Sequence, residues 1–212
     1  MTWASVVWAR SPLRQVAAEL ISVEVSRLCG VAPQDVRLTR MCPSCGSTGH
    51  GRPLIFPWEE RVGPPSVSVA RSCRLTAIVV VARGAAGIDV EDVESFADDG
   101  LSEVLLHGDE RAEVPEGLAI MWVRKEALLK SAGCGLSVDP RRVRLSGPRE
   151  APVVLEWPHL EWGPRPGWVL DLDLGAGVRA ALAGSGQVPD EVMVREVGLG
   201  GALGRARPGR AR

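Results

Sequence analysis

The chain has 212 residues, 45% apolar and 24% charged, with a formal net charge of −1, a balance that can bury a sizeable core without disulfide staples. Glycine and proline recur without a period, which excludes a collagen-like or wholly disordered chain, and the longest apolar run, residues 77–82, falls far short of the ~18 residues of a membrane span. Residues 1–10 lack a basic flank ahead of an apolar stretch, so no secretory leader is expected, and an odd number of cysteines fits a reducing cytoplasm better than a disulfide scaffold.

Ser11-Pro12 offers an N-cap and a first helical residue, and Gly30 a stop, around a helix predicted over residues 13–29. Leu13, Val16, Ala17, Leu20 and Leu28 recur there at helical spacing. Residues 35–40 alternate like a strand, 41–51 form a turn-rich loop, 52–56 are extended and 58–65 are loop again. Strands are predicted over 67–70, 75–82 and 87–91, and one or two short helices over 95–106. The strongest helix covers 115–132, stopped by Gly133 and Gly135. Residues 142–145, 153–157 and 168–174 read as strands, 177–183 as a short helix and 191–197 as a last strand. One long helix with several short strands in each half, and no regular βαβ alternation, indicates an α+β class. Residues 198–212 carry Arg205, Arg207, Arg210 and Arg212 and no acid; such a Gly/Arg/Ala tail is expected to be disordered and solvated. The body carries no basic footprint for nucleic acid.

Cys42-Pro43-Ser44-Cys45 followed by His50 matches the opening of a zinc knuckle, whose fourth ligand should fall at position 55, which is Ile55. Only Cys73 or a distant histidine could complete the set, so a Gly/Ser-rich loop with two thiols is the preferred reading. His107 and His159 stand alone. Of 25 basic residues all but Lys125 and Lys130 are arginine, and both lysines fall in one short segment. A lysine kept where arginine is habitual points to a role for a compact ammonium, such as a point charge beside a phosphate.

Two segments are more informative. In Gly87-Ile88-Asp89-Val90-Glu91, a strand places Asp89 and Glu91 on one face and Ile88 and Val90 on the other; adjacent carboxylates need a cation, or one must protonate. In Trp122-Val123-Arg124-Lys125-Glu126-Ala127-Leu128-Leu129-Lys130, Trp122, Glu126 and Lys130 share one helix face at spacing four. A solvated Glu–Lys pair is the plain alternative, but the bulky Trp122 argues that this stripe faces protein.

Together these segments resemble the 4′-phosphopantetheinyl transferase family, which carries Gly-[Ile/Val]-Asp-x-Glu followed by Trp-x-x-Lys-Glu-[Ala/Ser]-x-x-x-Lys. The resemblance extends from about residue 13 to residue 197 and is to the longer, two-half (surfactin-synthetase-type) class rather than the short trimeric one. It implies two pseudo-duplicated halves, residues 1–86 and 87–197, each a long helix on a small, mainly antiparallel sheet, with the active site in the cleft between them. The implied reaction transfers the phosphopantetheine arm of coenzyme A to a serine of an acyl or peptidyl carrier protein, with Mg²⁺ as cofactor and a cytoplasmic monomer as the working form; neither nucleic acid nor membrane is an expected partner. By resemblance Asp89, Glu91 and Glu126 hold the metal, and Glu126 is also the base for the serine proton. Lys130 then faces the pyrophosphate, Lys125 lines the same cleft and Glu110 is a further acid near the site. Arg52, in Gly51-Arg52-Pro53, stands where the family has a coenzyme-A-binding lysine, and Arg71 replaces a phosphate-binding histidine; arginine can grip phosphate bidentately. Ala70 replaces a serine, and Ser22 stands where an arginine is usual. These departures motivate a second reading, a non-enzymatic carrier-binding homologue with weakened coenzyme A affinity. A third is a zinc-stabilised nucleic-acid module built on Cys42, Cys45 and His50.

Overall fold

Trp3–Ala9 forms β1, with every side chain from Ala4 to Ala9 buried. A strand covered on both faces carries no polar alternation, and the sequence reading passed over it for that reason. The computed structural model describes residues 2–42, 45–56, 65–98, 100–159, 165–198 and 207–208. After β1 come α1 (Arg14–Cys29), β2 (Arg37–Met41), β3 (Arg52–Phe56), β4 (Ser66–Arg71), β5 (Thr76–Val81) and β6 (Ala86–Asp92). The chain continues through α2 (Leu101–Leu105), α3 (Glu116–Ala132), β7 (Arg144–Leu145), β8 (Val154–Glu156), β9 (Pro166–Leu172), β10 (Val178–Ser185), β11 (Glu191–Glu196) and β12 (Arg207–Pro208). The α+β class expected from the sequence is the observed one.

Two main sheets, ordered β12-β11-β1-β5-β4 and β6-β10-β9, are joined by the small hairpins β2-β3 and β7-β8. The alternation along β5 explains how they stack. Ile78 and Val80 face α1 with Val7, Ala9, Leu20 and Ile21, whereas Ala77, Val79 and Val81 face the second sheet and meet Ile88, Val90 and Leu182. Leu182 alternates in turn with Ala181 and Ala183, which pack with Leu128 and Leu129 of α3. The layers therefore run α1, first sheet, second sheet, α3. No helix of the described residues is long and apolar enough to cross a membrane.

At the seam between the sheets, serine hydroxyls take over from a backbone ladder. Ser66 Oγ accepts from Ala86 N at 3.4 Å and Ser68 Oγ from Ile88 N at 3.2 Å, so the outer N–H groups of β6 are satisfied by β4 side chains. The far end of β6 is held by Asp92, whose carboxylate accepts from Cys73 N at 2.9 Å and Ser72 Oγ at 3.2 Å.

Two expectations need correction. Residues 177–183 are not a short helix but most of β10, the central strand of its sheet; the alanines that favour a helix serve here as small residues flanked by two strands and covered by α3, and tertiary packing overrides propensity. Ser11 is not the N-cap of the first helix: Leu13 occupies that position, and Ser11 Oγ accepts from Leu13 N at 3.3 Å in the preceding turn. The disordered tail expected over 198–212 lies mostly outside the described residues, but Arg207 and Pro208 pair with Glu196 and Arg195 of β11 as a short strand. The loop expected over 58–65 lies outside the described residues except at residue 65.

β11 runs parallel to β1, returning the chain to the sheet in which it began. Glu24 of α1 secures this return: its buried carboxylate accepts from Ser5 Oγ at 2.5 Å and Arg27 Nη2 at 2.6 Å, and it also pairs with Arg195 of β11. Burial alone would raise the Glu24 carboxyl, but Arg27, Ser5 and Arg195 overcome it and hold the group below its ordinary value. The unfolded chain therefore binds the proton more tightly, so this stabilisation is present above about pH 4.5 and is lost as pH falls through the folded-state value. Glu24→Gln is expected to cost about 2 kcal/mol at pH 7. In denaturant titrations the gap between variant and parent should close below about pH 4; a gap that persists in acid would exclude this charge network as its source.

Candidate active site

Asp89 and Glu91 share the face of β6 opposite Ile88 and Val90, and that face is turned toward α3, which presents Trp122, Glu126 and Lys130 on one stripe. Gly87 lets the two elements meet: a Cβ there would lie 2.0 Å from Ala127 O and 2.5 Å from Ser131 N. The first glycine of the strand motif is thus a close-approach residue, and without it the acids of β6 would be pushed away from those of α3. Lys130 Nζ donates to Asp89 Oδ1 at 2.6 Å and to Ile88 O at 3.2 Å. Trp122 lies beside the Glu91 carboxyl and works against the rise of its pKa. Asp89 Oδ2 and Glu126 Oε1 are buried with no hydrogen-bond partner.

Three acids around one ammonium leave negative charge in excess in a desolvated place. Burial, and then the neighbouring Asp89, push the Glu91 carboxyl up to about 7. Burial also pushes the Glu126 carboxyl up to about 7, with Lys130 opposing and Asp89 adding to the rise. For Asp89 the direction is upward, from burial against the pull of Lys130. Lys130 lies on the other side of the same balance: burial works against its charge, but Asp89, Glu126 and Glu91 together hold its pKa above the ordinary value. The donor set is all hard oxygen, with two unpartnered atoms, and in kind it could hold a divalent cation such as Mg²⁺. Among the described residues, the triads whose ligand atoms lie within 4.8 Å of one another are Cys42/Cys45/His50 and His107/Asp109/Glu156. Asp89, Glu91 and Glu126 do not converge so tightly, and the Lys130 ammonium lies among them instead.

Two residues expected here are elsewhere. Lys125 is 0% exposed and donates to Leu105 O at 2.9 Å, Glu110 Oε2 at 2.6 Å and Pro140 O at 3.1 Å. All three protons of its ammonium are engaged, so it offers nothing to a ligand. Glu110 is equally committed: Oε2 also accepts from His107 N and Oε1 from Leu145 N, both at 2.7 Å. The pair ties α3 to the 105–110 and 140–145 segments and is a structural cross-link, not part of the cleft. Arg124, which the sequence reading did not single out, is another: it holds Asp171 of β9 through Nε at 2.8 Å and Nη2 at 2.6 Å.

The arginine candidates line two adjoining cavities. The larger, about 510 Å³, has Arg52, Ser68, Lys130 and Gly135 among its walls, together with Arg40, His50 and Gly51. The last three also border a cavity of about 370 Å³ that Arg14 and Arg71 complete. Arg52 is tied to Ser66 of β4, and burial lowers its pKa. Burial, with Arg14 and Arg40 nearby, lowers that of Arg71. Arg40 went unremarked in the sequence because nothing local distinguishes one arginine among many. Ser22 is turned elsewhere, its hydroxyl donating to Pro33 O at 2.6 Å.

Carboxyls that titrate near 7 in the folded chain and near 4.5 when unfolded bind protons more tightly when folded, so their contribution to stability falls as pH rises across that interval. In the presence of chelator, the melting temperature is expected to decline between pH 5 and pH 8, and Glu126→Gln should flatten that decline. Thermal scans across this range give the slope; an unchanged slope in the variant would remove Glu126 from the charge cluster.

No curated protein matches the chain. Residues 85–165 match the family model of the 4′-phosphopantetheinyl transferase superfamily, a stretch that holds β6, α3 and the whole Asp89/Glu91/Glu126/Lys130 cluster, and this match supports phosphopantetheine transfer as the general chemistry of the segment.

Proposed function

We propose that the chain is an Mg²⁺-dependent transferase that moves the phosphopantetheine arm of coenzyme A onto a serine hydroxyl of an acyl or peptidyl carrier protein and releases adenosine 3′,5′-bisphosphate. The observation that carries this reading is the largely buried, over-acidic cluster of Asp89, Glu91, Glu126 and Lys130 at the β6–α3 seam, whose Lys130 borders a cavity together with Arg40 and Arg52. Asp89, Glu91 and Glu126 would hold the Mg²⁺, which supplies charge neutralisation at the pyrophosphate when bound. Glu126, with its carboxyl near 7, is matched to taking the serine proton close to neutral pH. Lys130 stabilises charge on the leaving phosphate.

The donor needs anchoring at more than one phosphate. Arg52 faces the larger cavity near Lys130 and suits the pyrophosphate, while Arg14, Arg40 and Arg71 surround the smaller one and suit the phosphate on the ribose. This arginine cluster answers the missing arginine at Ser22 and favours a working enzyme over a homologue that has lost its donor. We further read the chain as the two pseudo-duplicated halves of the longer class, 1–86 and 87–197, with β11 of the second half crossing back to pair with β1. Both walls of the cleft then come from one chain, and a monomer suffices.

The test is to incubate the protein with coenzyme A, Mg²⁺ and a panel of apo carrier proteins and to read intact carrier mass. One phosphopantetheine per carrier is expected. Glu126→Gln and Lys130→Ala should each slow loading by about 100-fold or more with the fold intact by circular dichroism, whereas Arg71→Ala should raise the KM for coenzyme A and leave kcat nearly unchanged. No adduct on any carrier, or parental rates in Glu126→Gln, would overturn the assignment.

A further inference from the structure

The loop between β2 and β3 takes no part in the transfer chemistry, yet it brings two thiols and an imidazole to one point. Cys42, Cys45 and His50 place their ligand atoms within 4.8 Å of one another, and Cys45 Sγ stands 3.5 Å from His50 Nε2. With Zn–S about 2.3 Å and Zn–N about 2.0–2.1 Å, a sulfur and a nitrogen on tetrahedral zinc are about 3.5–3.6 Å apart. The observed separation is therefore that of one edge of a zinc tetrahedron.

The backbone is built to hold this arrangement. Gly46, at φ 70°, turns the chain after Cys45 and donates its N–H to Cys42 O at 2.8 Å, while Cys42 N donates to Ser47 O at 2.9 Å. Gly51, at φ 100°, lies so close to the first cysteine that a Cβ would sit 2.4 Å from Cys42 N and from Met41 O. Only glycine lets the His50 end of the loop close back on Cys42. Arg40 Nη1 fastens the same point by donating to Gly51 O at 3.1 Å.

We propose that Cys42, Cys45 and His50 bind one Zn²⁺ as a Cys₂His site whose fourth position is taken by water or a small solute. Among the described residues no further Cys, His, Asp or Glu joins the three. Ile55, where a closed knuckle would carry its fourth ligand, is instead buried in the α1 core. Structural zinc sites are closed by four protein ligands, but sites with three protein ligands and an open position are equally well formed. All three residues also line the cavity that Arg52 and Lys130 border, so the metal fastens one wall of that cavity. The proposal rests on donor geometry and is independent of the transfer reading.

The experiment is a Co²⁺ titration of the full chain after reduction and chelator treatment, followed by optical absorption. The expected result is one equivalent of Co²⁺ with intense tetrahedral d–d bands and a thiolate-to-cobalt charge-transfer band, all displaced by Zn²⁺. Binding at the Asp89/Glu91/Glu126 carboxylates gives no thiolate band, so the two sites are read separately. Cys45→Ser should abolish the charge-transfer signature or weaken cobalt affinity by at least about 10-fold, His50→Ala should do the same, and Cys73→Ser should leave binding unchanged. The proposal is overturned by absence of the thiolate band in the reduced parent at molar excess of Co²⁺, by its persistence at parental cobalt affinity in Cys45→Ser, or by a Cys42–Cys45 disulfide whose reduction restores no metal binding. The parent titration needs no variant to fold.

Discussion

The constraint on which the site depends is the burial of more negative than positive charge where β6 touches α3. The contact is close because Gly87 has no side chain, and a Cβ would strike the helix backbone at Ala127 and Ser131. It is charged because the strand and helix periods bring Asp89, Glu91, Glu126 and Lys130 to the same seam. A layer of aliphatic residues there would be more stable, since buried ion pairs seldom repay their desolvation. The sequence instead keeps two carboxylate oxygens without partners and two glutamates whose carboxyls sit near 7. Such an arrangement is costly in a resting fold and useful where a cation, a phosphate or a proton is to be received.

The rest of the molecule sets this seam in place. Ser66 and Ser68 join the sheets by side-chain acceptors and hold β6 against β4. Asp92 anchors the end of β6 to the turn before β5. Glu24 joins α1, β1 and β11, so the C-terminal strand closes the sheet that begins at Trp3. Lys130 brings the seam to the edge of the larger cavity, where Arg40 and Arg52 also stand, and Arg14 and Arg71 join Arg40 around the smaller one. An elongated anion suits cavities bordered by these cations.

Much of this was legible in the sequence, and the remainder was hidden for identifiable reasons. Periodicity was enough to place Asp89 with Glu91 and Glu126 with Lys130, because these pairs depend only on local spacing. β1 and β10 were missed because both are covered on two faces, so neither shows polar alternation, and the alanines of β10 favour a helix until packing is known. Arg124 could not be paired from sequence, since Asp171 is far along the chain. The error over Lys125 was avoidable: five residues from Lys130 it lies about 140° around the helix, too far to share a face. The spacing of Cys42, Cys45 and His50 was legible as the opening of a knuckle, whereas the backbone approach at Gly51 that closes the loop on Cys42 was not.

That helical angle also accounts for the two lysines in a chain that otherwise uses arginine. Lys125 occupies a closed site whose acceptors, Leu105 O, Glu110 Oε2 and Pro140 O, come from three segments around one nitrogen. An ammonium can send its three protons to such a set, whereas a planar guanidinium spreads five donors in a fork and demands more volume. Lys130 meets the same restriction for a different reason. It must reach Asp89 Oδ1 and Ile88 O at a helix–strand contact so close that its own Cβ would lie 2.9 Å from a Cβ at Gly87. A slender stem with a compact charge passes through that gap, and a guanidinium would have to push β6 from α3. The clustering of lysines thus has two causes, one structural and one at the candidate site, and both come down to the size of the charged group.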